Sequence, residues 1–258
     1  MRRVRVGDAE IAYRVSGDEP TKRPPVVFVH GAAGSSLAWL SQLRAVSGVA
    51  RALALDLPGH GHSPGGPLAS IGDARTHLLG FLNALKISRA TIVGHSMGGA
   101  VALDFALIHP DRVVGLALVS TSAKLGVSPA ILHVIEHEWH ALPRHFATVG
   151  FAPGTDADTI KRVADLLHAT RPEIALADFR ICNDFDLRSR LGEIASPAVV
   201  VCGDADLMTP LRHAEFLATH LKNATLVPVP GIGHMLPFEA PQVLNHALRT
   251  FVNSVANR

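Results

Sequence analysis

Gly94-His95-Ser96-Met97-Gly98 sets a serine between two glycines, with the β-branched run Thr91-Ile92-Val93 before it and a helical pattern, Met97–Ile108, after it. A serine on so tight a strand-to-helix turn is held at strained backbone angles with its hydroxyl presented outward. Glycine two positions before and two after removes the Cβ atoms that would collide there, and Gly99 lets the helix pack closely. The helix N-terminus aims the positive end of its dipole and its free N–H groups at the serine oxygen. The first of these N–H groups belongs to Met97. Such a serine suits nucleophilic attack on an electrophilic carbon, provided that a base, oriented by a carboxylate, takes its proton.

Two loops further along the chain supply those groups. Gly203-Asp204-Ala205-Asp206-Leu207-Met208-Thr209-Pro210 follows the apolar run Ala198–Val201, and Gly231-Ile232-Gly233-His234-Met235 follows Thr225–Val229. Further short apolar runs are Val26–Val29, Ala52–Leu55 and Val113–Val119. Continuous runs of this kind suit parallel strands covered on both faces. Between them lie helical patterns at Ile71–Leu85, Met97–Ile108, Leu211–Leu221 and Pro241–Val252, so the alternation predicts an α/β sheet flanked by helices. In a parallel sheet the C-terminal strand ends share one edge, where Ser96, His234 and either Asp204 or Asp206 can converge. Val4–Val6 and Glu10–Val15 alternate around Gly7-Asp8, which predicts an antiparallel hairpin at the sheet edge.

The rhythm breaks over residues 122–189. Helical stretches near Ser128–Leu142, Asp156–Ala169 and Arg171–Cys182 are punctuated by Pro143, Pro153-Gly154 and Pro172. This segment reads as an all-helical insertion after the sixth strand, with residues 1–121 and 190–258 forming the core domain. Trp139, Phe146, Phe151 and Phe179 within it are candidates to line a substrate pocket over the strand edge. For any one of them, packing inside the insertion is the competing role.

The whole pattern resembles the α/β-hydrolase family, in its cap-bearing, esterase- and lipase-like form. The resemblance rests on five segments in order: His30-Gly31 after Val26–Val29 with Trp39 beyond it; Asp56-Leu57-Pro58-Gly59-His60-Gly61-His62-Ser63; the serine turn; Gly203-x-x-Asp206 with Pro210; and Gly233-His234 with Glu239 and Pro241. It implies an α/β-hydrolase fold, a mostly parallel sheet flanked by helices with a helical cap. It implies a catalytic triad of Ser96, Asp206 and His234, with Asp204 left to cap its loop. It places the oxyanion hole at the backbone N–H groups of Ala32 and Met97. The activity it implies is carboxylic ester hydrolysis through an acyl-enzyme on small to medium acyl groups, with no cofactor and no metal. Acyl transfer, perhydrolysis and lactone opening share these residues, and a small-molecule receptor is the non-enzymatic alternative. Serine at position 96 argues against dehalogenases and epoxide hydrolases, whose nucleophile is aspartate.

The 258 residues carry 15 histidines, a number that by itself suggests metal binding. Position sorts them differently. His133 and His137 have ligand spacing, yet His137-Glu138-Trp139-His140 is one residue short of the zinc motif, and a solvated helix face is the better reading. His60 and His62 fit structural hydrogen bonding. His95 is expected to pack beside the serine turn and His30 to orient the oxyanion loop.

Twenty-four Lys and Arg against 22 Asp and Glu give a net charge of +2 without a clustered basic face, which argues against a nucleic-acid partner. No apolar run is long enough for a membrane span, and no signal-peptide pattern follows Met1. Cys182 and Cys202 are then expected to be buried and reduced. These features predict a soluble, cytoplasmic protein acting on a small-molecule ester.

Overall fold

The computed structural model describes residues 1–17 and 23–256. Eight strands form one sheet: β1 (Arg2–Val6), β2 (Ala9–Ser16), β3 (Val26–Val29), β4 (Ala52–Leu55), β5 (Ala90–His95), β6 (Val113–Val119), β7 (Ala198–Gly203) and β8 (Ala224–Val229). Their order is β1-β2-β4-β3-β5-β6-β7-β8. β1 and β2 form the antiparallel hairpin, turning at Gly7 with φ 59°, and β2 joins β4 antiparallel. The remaining pairs are parallel. Every residue of β3, β4, β5, β6 and β7 is buried, as continuous apolar runs require.

Ten helices cover the sheet and its C-terminal edge: α1 (Leu40–Val46), α2 (Ile71–Ala84), α3 (Met97–Ile108), α4 (Pro129–His137), α5 (Leu142–Val149), α6 (Ala157–His168), α7 (Pro172–Asp184), α8 (Leu211–His220), α9 (Leu236–Glu239) and α10 (Pro241–Val255). α2, α3 and α8 bury one face, around Leu78, Phe81, Leu103, Phe105 and Leu217. α1 and α10 bury the other, around Trp39, Leu43, Leu244 and Leu248. α4 to α7 stand between β6 and β7 and share a third cluster with Ala33 and Met235 of the strand-end loops.

The helical stretch expected over Ser128–Leu142 is broken in the structure. α4 ends at His137, a short 3-10 turn spans Trp139–Ala141, and α5 starts at Leu142. Pro143 opens α5 rather than closing the preceding helix, because a first-turn residue needs no N–H for the helix ladder. α1 carries no strong sequence signal and is held by packing against α10. Among the described residues no helix is long and apolar enough to cross a membrane. Both cysteines are free and buried.

The order of the sheet reverses around β3, which lies between β4 and β5. The crevice at the C-terminal ends of β3 and β5 is therefore the topological switch point, where open α/β sheets hold ligands. α3 begins there, pressed against β3. A Cβ on Gly98 would lie 2.2 Å from the Val29 carbonyl oxygen and 2.7 Å from that of His30. Both atoms are backbone, so the clash has no flexible side chain to relax into. Gly98→Ala is expected to lose about 2–3 kcal/mol of stability through overpacking, read as a lowered urea midpoint. A midpoint equal to wild type would show that the helix does not sit this close.

Candidate active site

Ser96 occupies the position before α3, at φ 52° and ψ −117°. A non-glycine residue held there costs on the order of 1–3 kcal/mol and needs outside restraint. The restraint is visible. Ser96 N–H donates to the Val119 carbonyl at 3.0 Å. Its own carbonyl accepts from Thr121 Oγ1 at 2.7 Å and from Gly99 N at 2.8 Å. Residues 90–95 and 97–100 are buried, while Ser96 keeps partial exposure.

His234 and Asp206 meet as the loops after β8 and β7 converge. His234 Nδ1 lies 2.9 Å from Asp206 Oδ2, and both side chains are almost fully buried. A carboxylate only accepts, so the Nδ1–H donates to it, and in the neutral tautomer this selects, the lone pair is on Nε2. Asp206 Oδ1 accepts from Met208 N at 2.9 Å and Thr209 N at 2.8 Å, and Oδ2 also accepts from Thr209 Oγ1 at 2.8 Å. Burial alone would raise the Asp206 pKa. The adjacent His234 and these donors outweigh it and hold the carboxyl below its usual range. Asp204 lies apart, accepting from Gly231 N at 2.7 Å on the exposed side of the loop.

Ser96 and His234 line one pocket of about 420 Å³, together with Gly31 and Ala32 of the loop after β3. Its walls are Phe146, Leu166, Leu167, Phe179, Met208 and Met235, with no lysine, arginine or acid among the lining residues. Phe146 and Phe179 thus stand where the sequence suggested. Trp139 and Phe151 do not line this pocket. Trp139 packs with its ring centroid 6.0 Å from that of His168. Phe151 packs edge-on to Phe146, 6.3 Å between centroids, and its backbone backs onto Gly233. Leu166, Leu167, Met208 and Met235 escaped sequence reading because ordinary apolar residues carry no chemical signature.

The supporting histidines, His95 and His30, both bond backbone groups. His95 Nε2 lies 2.9 Å from the His234 carbonyl, which fixes its proton on that nitrogen. His30 accepts from Leu57 N through Nε2 at 3.1 Å and donates through Nδ1 to the Gly31 carbonyl at 2.9 Å. Burial, and then the neighbouring histidine, pushes His95 down to about 3 and His30 to about 4. The expected surface pair His133 and His137 is exposed, and among the described residues no group of three or more metal-type side chains converges.

A glutamate that sequence reading had named only as a motif position braces the site. Glu239 Oε2 accepts from Ala152 N at 2.8 Å, Thr155 Oγ1 at 2.9 Å and Gly233 N at 3.2 Å. It therefore ties the turn before α6 to the loop carrying His234.

A sequence profile described as the alpha/beta hydrolase family matches residues 26–247. The chain belongs to the alpha/beta hydrolase family. This alpha/beta hydrolase is 33% identical over 241 residues to the dihydrolipoyllysine-residue acetyltransferase component of the acetoin cleaving system of Pseudomonas putida, a match covering 88% of the chain but only 63% of that protein. It is 28% identical to 3-oxoadipate enol-lactonase 2 of Acinetobacter baylyi, over 93% of the chain and 92% of that enzyme. Among solved structures, the enol-lactonase from Burkholderia xenovorans superposes with a TM-score of 0.89 at 27% identity, covering 98% of this chain and all of that one (100%).

Because His30 and His95 are held neutral, folding should oppose their protonation. The unfolded chain takes up protons below the ordinary histidine pKa of about 6.5, and the folded state does not until far lower pH. Each residue should therefore remove up to about 1.4 kcal/mol of stability per pH unit between roughly pH 6 and 5. His95→Gln should shallow that slope by about one proton, measured by urea unfolding at pH 6.0, 5.5 and 5.0. An unchanged slope would mean that His95 is not held neutral.

Proposed function

We propose that this alpha/beta hydrolase is a serine carboxylesterase whose triad is Ser96, His234 and Asp206. The observation that carries this reading is the shared pocket. A strained, partly exposed serine at a helix N-terminus faces the same space as a histidine whose Nδ1 is engaged by a buried carboxylate. His234 Nε2 takes the Ser96 proton as the hydroxyl oxygen attacks the ester carbonyl carbon. Asp206 fixes the tautomer and stabilises the imidazolium that forms. The N–H groups of Ala32 and Met97 hold the oxyanion. His234 returns its proton to the leaving alcohol, then activates water to release the acid. The helical segment after β6 acts as the cap.

The pocket also bears on the substrate. Its walls of Phe146, Leu166, Leu167, Phe179, Met208 and Met235 close over Ser96, which favours short and medium acyl groups. The absence of a cation from its lining favours a neutral acyl chain. An enol-lactone of a dicarboxylic acid keeps one carboxylate, so the substrate named for the Acinetobacter relative fits this apolar lining poorly, while neutral esters and lactones fit it well. The Pseudomonas relative's name describes acyl transfer. The same acyl-enzyme would perform it with an alcohol or thiol in place of water, and added acceptor would then raise the initial rate.

Wild-type protein should hydrolyse p-nitrophenyl acetate and butyrate, and lose rate sharply on a carboxylate-bearing monosuccinate ester. Ser96→Ala and Asp206→Asn should lower kcat by about 10³-fold or more, and Asp204→Asn should stay within about two-fold of wild type. Full hydrolysis by Ser96→Ala would overturn the mechanism. Loss in Asp204→Asn with retention in Asp206→Asn would reassign the acid.

A further inference from the structure

The loop after β3 carries a second strained residue. Ala33 is fully buried at φ 53°, beside the Ala32 N–H that the ester reading assigns to the oxyanion. Both of its peptide groups are held by residues more than a hundred positions away. Its N–H donates to Asp178 Oδ2 at 2.8 Å, from α7. Its carbonyl accepts from Thr170 Oγ1 at 2.9 Å, just before α7. The helical segment after β6 therefore grips the loop directly.

Asp178 Oδ2 accepts a second donor, His60 Nε2, at 2.7 Å, and both side chains are 0% exposed. His60 Nδ1 faces the Pro58 carbonyl at 3.0 Å. Carbonyl and carboxylate both only accept, so both ring nitrogens are placed to donate, the arrangement that suits an imidazolium. The neighbouring groups agree. Asp56 stands nearby, its oxygens accepting from Ser36 N at 2.6 Å and His62 N at 3.0 Å, and His30 contributes a neutral ring 4.7 Å away between centroids. Burial would discharge His60, but Asp178 and then Asp56 outweigh it and raise its pKa. Among the described residues Asp178 Oδ1 is buried without a hydrogen-bond partner, so no bond to that oxygen explains the residue's burial.

We propose that Asp178 is a positioning residue for the oxyanion hole, setting the Ala32 N–H through Ala33, with buried His60 as its counter-charge. This rests on the ester-hydrolysis reading above. The role needs a carboxylate. One charged oxygen receives two donors. An amide oxygen in its place brings no counter-charge to the buried ring; a neutral His60 keeps its Nδ1 proton on the Pro58 carbonyl and offers Nε2 as an acceptor, so an amide oxygen left on Ala33 N–H faces a lone pair, and an amide turned to donate to Nε2 abandons Ala33.

The test is Asp178→Asn, with Thr170→Val as a milder variant. Active sites are counted by titration with a fluorophosphonate, and kcat, KM and inhibition by a phenylboronic acid are expressed per active site. The boronate places an oxygen in the hole when it bonds Ser96. Asp178→Asn should lower kcat by about 10- to 100-fold, below the 10²–10³ of deleting a donor outright. KM should change by less than about two-fold, and boronate affinity should fall in parallel with kcat. Thr170→Val should lower kcat about three-fold or more in the same pattern, and decides the matter if Asp178→Asn does not fold. Unchanged kcat and boronate affinity per active site, in whichever variant folds, would overturn the proposal. Absence of ester hydrolysis by wild type, or its survival in Ser96→Ala, would instead overturn the esterase reading on which it rests.

Discussion

The close approach of α3 to the end of β3 governs the rest of the site. A Cβ on Gly94 would lie 2.1 Å from the Gly98 carbonyl oxygen, and one on Gly98 would lie 2.2 Å from that of Val29. Only with both absent can the chain leave β5, pass Ser96 at φ 52° and enter a helix at once. That turn puts the helix N-terminus against the loop that begins at His30. The same contact that strains the serine thus brings Ser96 against Gly31 of that loop, where an added Cβ would lie 3.3 Å from the Ser96 Cβ. The strain persists because Val119, Thr121 and Gly99 bind both peptide groups of Ser96.

The remaining loops cannot be held the same way, since they come from strands further along the sheet. They are held by carboxylates. Asp56 takes Ser36 N and His62 N, Asp206 takes Met208 N and Thr209 N, and Glu239 takes Ala152 N and Gly233 N. Irregular backbone packed under an apolar pocket has N–H groups that water cannot reach. A carboxylate can satisfy several of them at once, and charge-assisted bonds contribute about 1.5–3 kcal/mol each where neutral ones give less. The acids therefore do in the loops what strand ladders do in the sheet. Their own charges are met by the donors that they gather, His234 Nδ1 among them at Asp206.

This division explains what was readable from the sequence. The serine turn and the Gly203-x-x-Asp206 and Gly233-His234 loops are local patterns, and short range fixes their geometry, so residue spacing carries the information. Strands β3 to β7 were equally legible because complete burial demands unbroken apolar runs. Contacts between distant segments left no such trace. Nothing in Asp178 marks it as the partner of His60 and Ala33, and nothing in Thr209 marks its hydroxyl as a donor to Asp206. Trp139 and Phe151 were offered for the pocket on residue type alone. Helix phase decides otherwise: the break after His137 turns Trp139 toward His168, and the turn after α5 commits Phe151 to packing under Gly233.

The histidines show the same rule at the level of single protons. Four of them crowd the strand edge, with ring centroids of His30 and His60 4.7 Å apart and those of His95 and His234 4.9 Å apart. If all were charged, the repulsion and desolvation would be prohibitive. Within each pair only one ring faces a carboxylate directly: His60 meets Asp178, and His234 meets Asp206. Their companions, His30 and His95, meet backbone groups and are held neutral, near 4 and 3. A neutral His95 leaves His234 without a like-charged neighbour at this 4.9 Å separation. The carboxylates thus set which histidine in each pair has a charged partner, within a cluster whose composition alone would have suggested a metal.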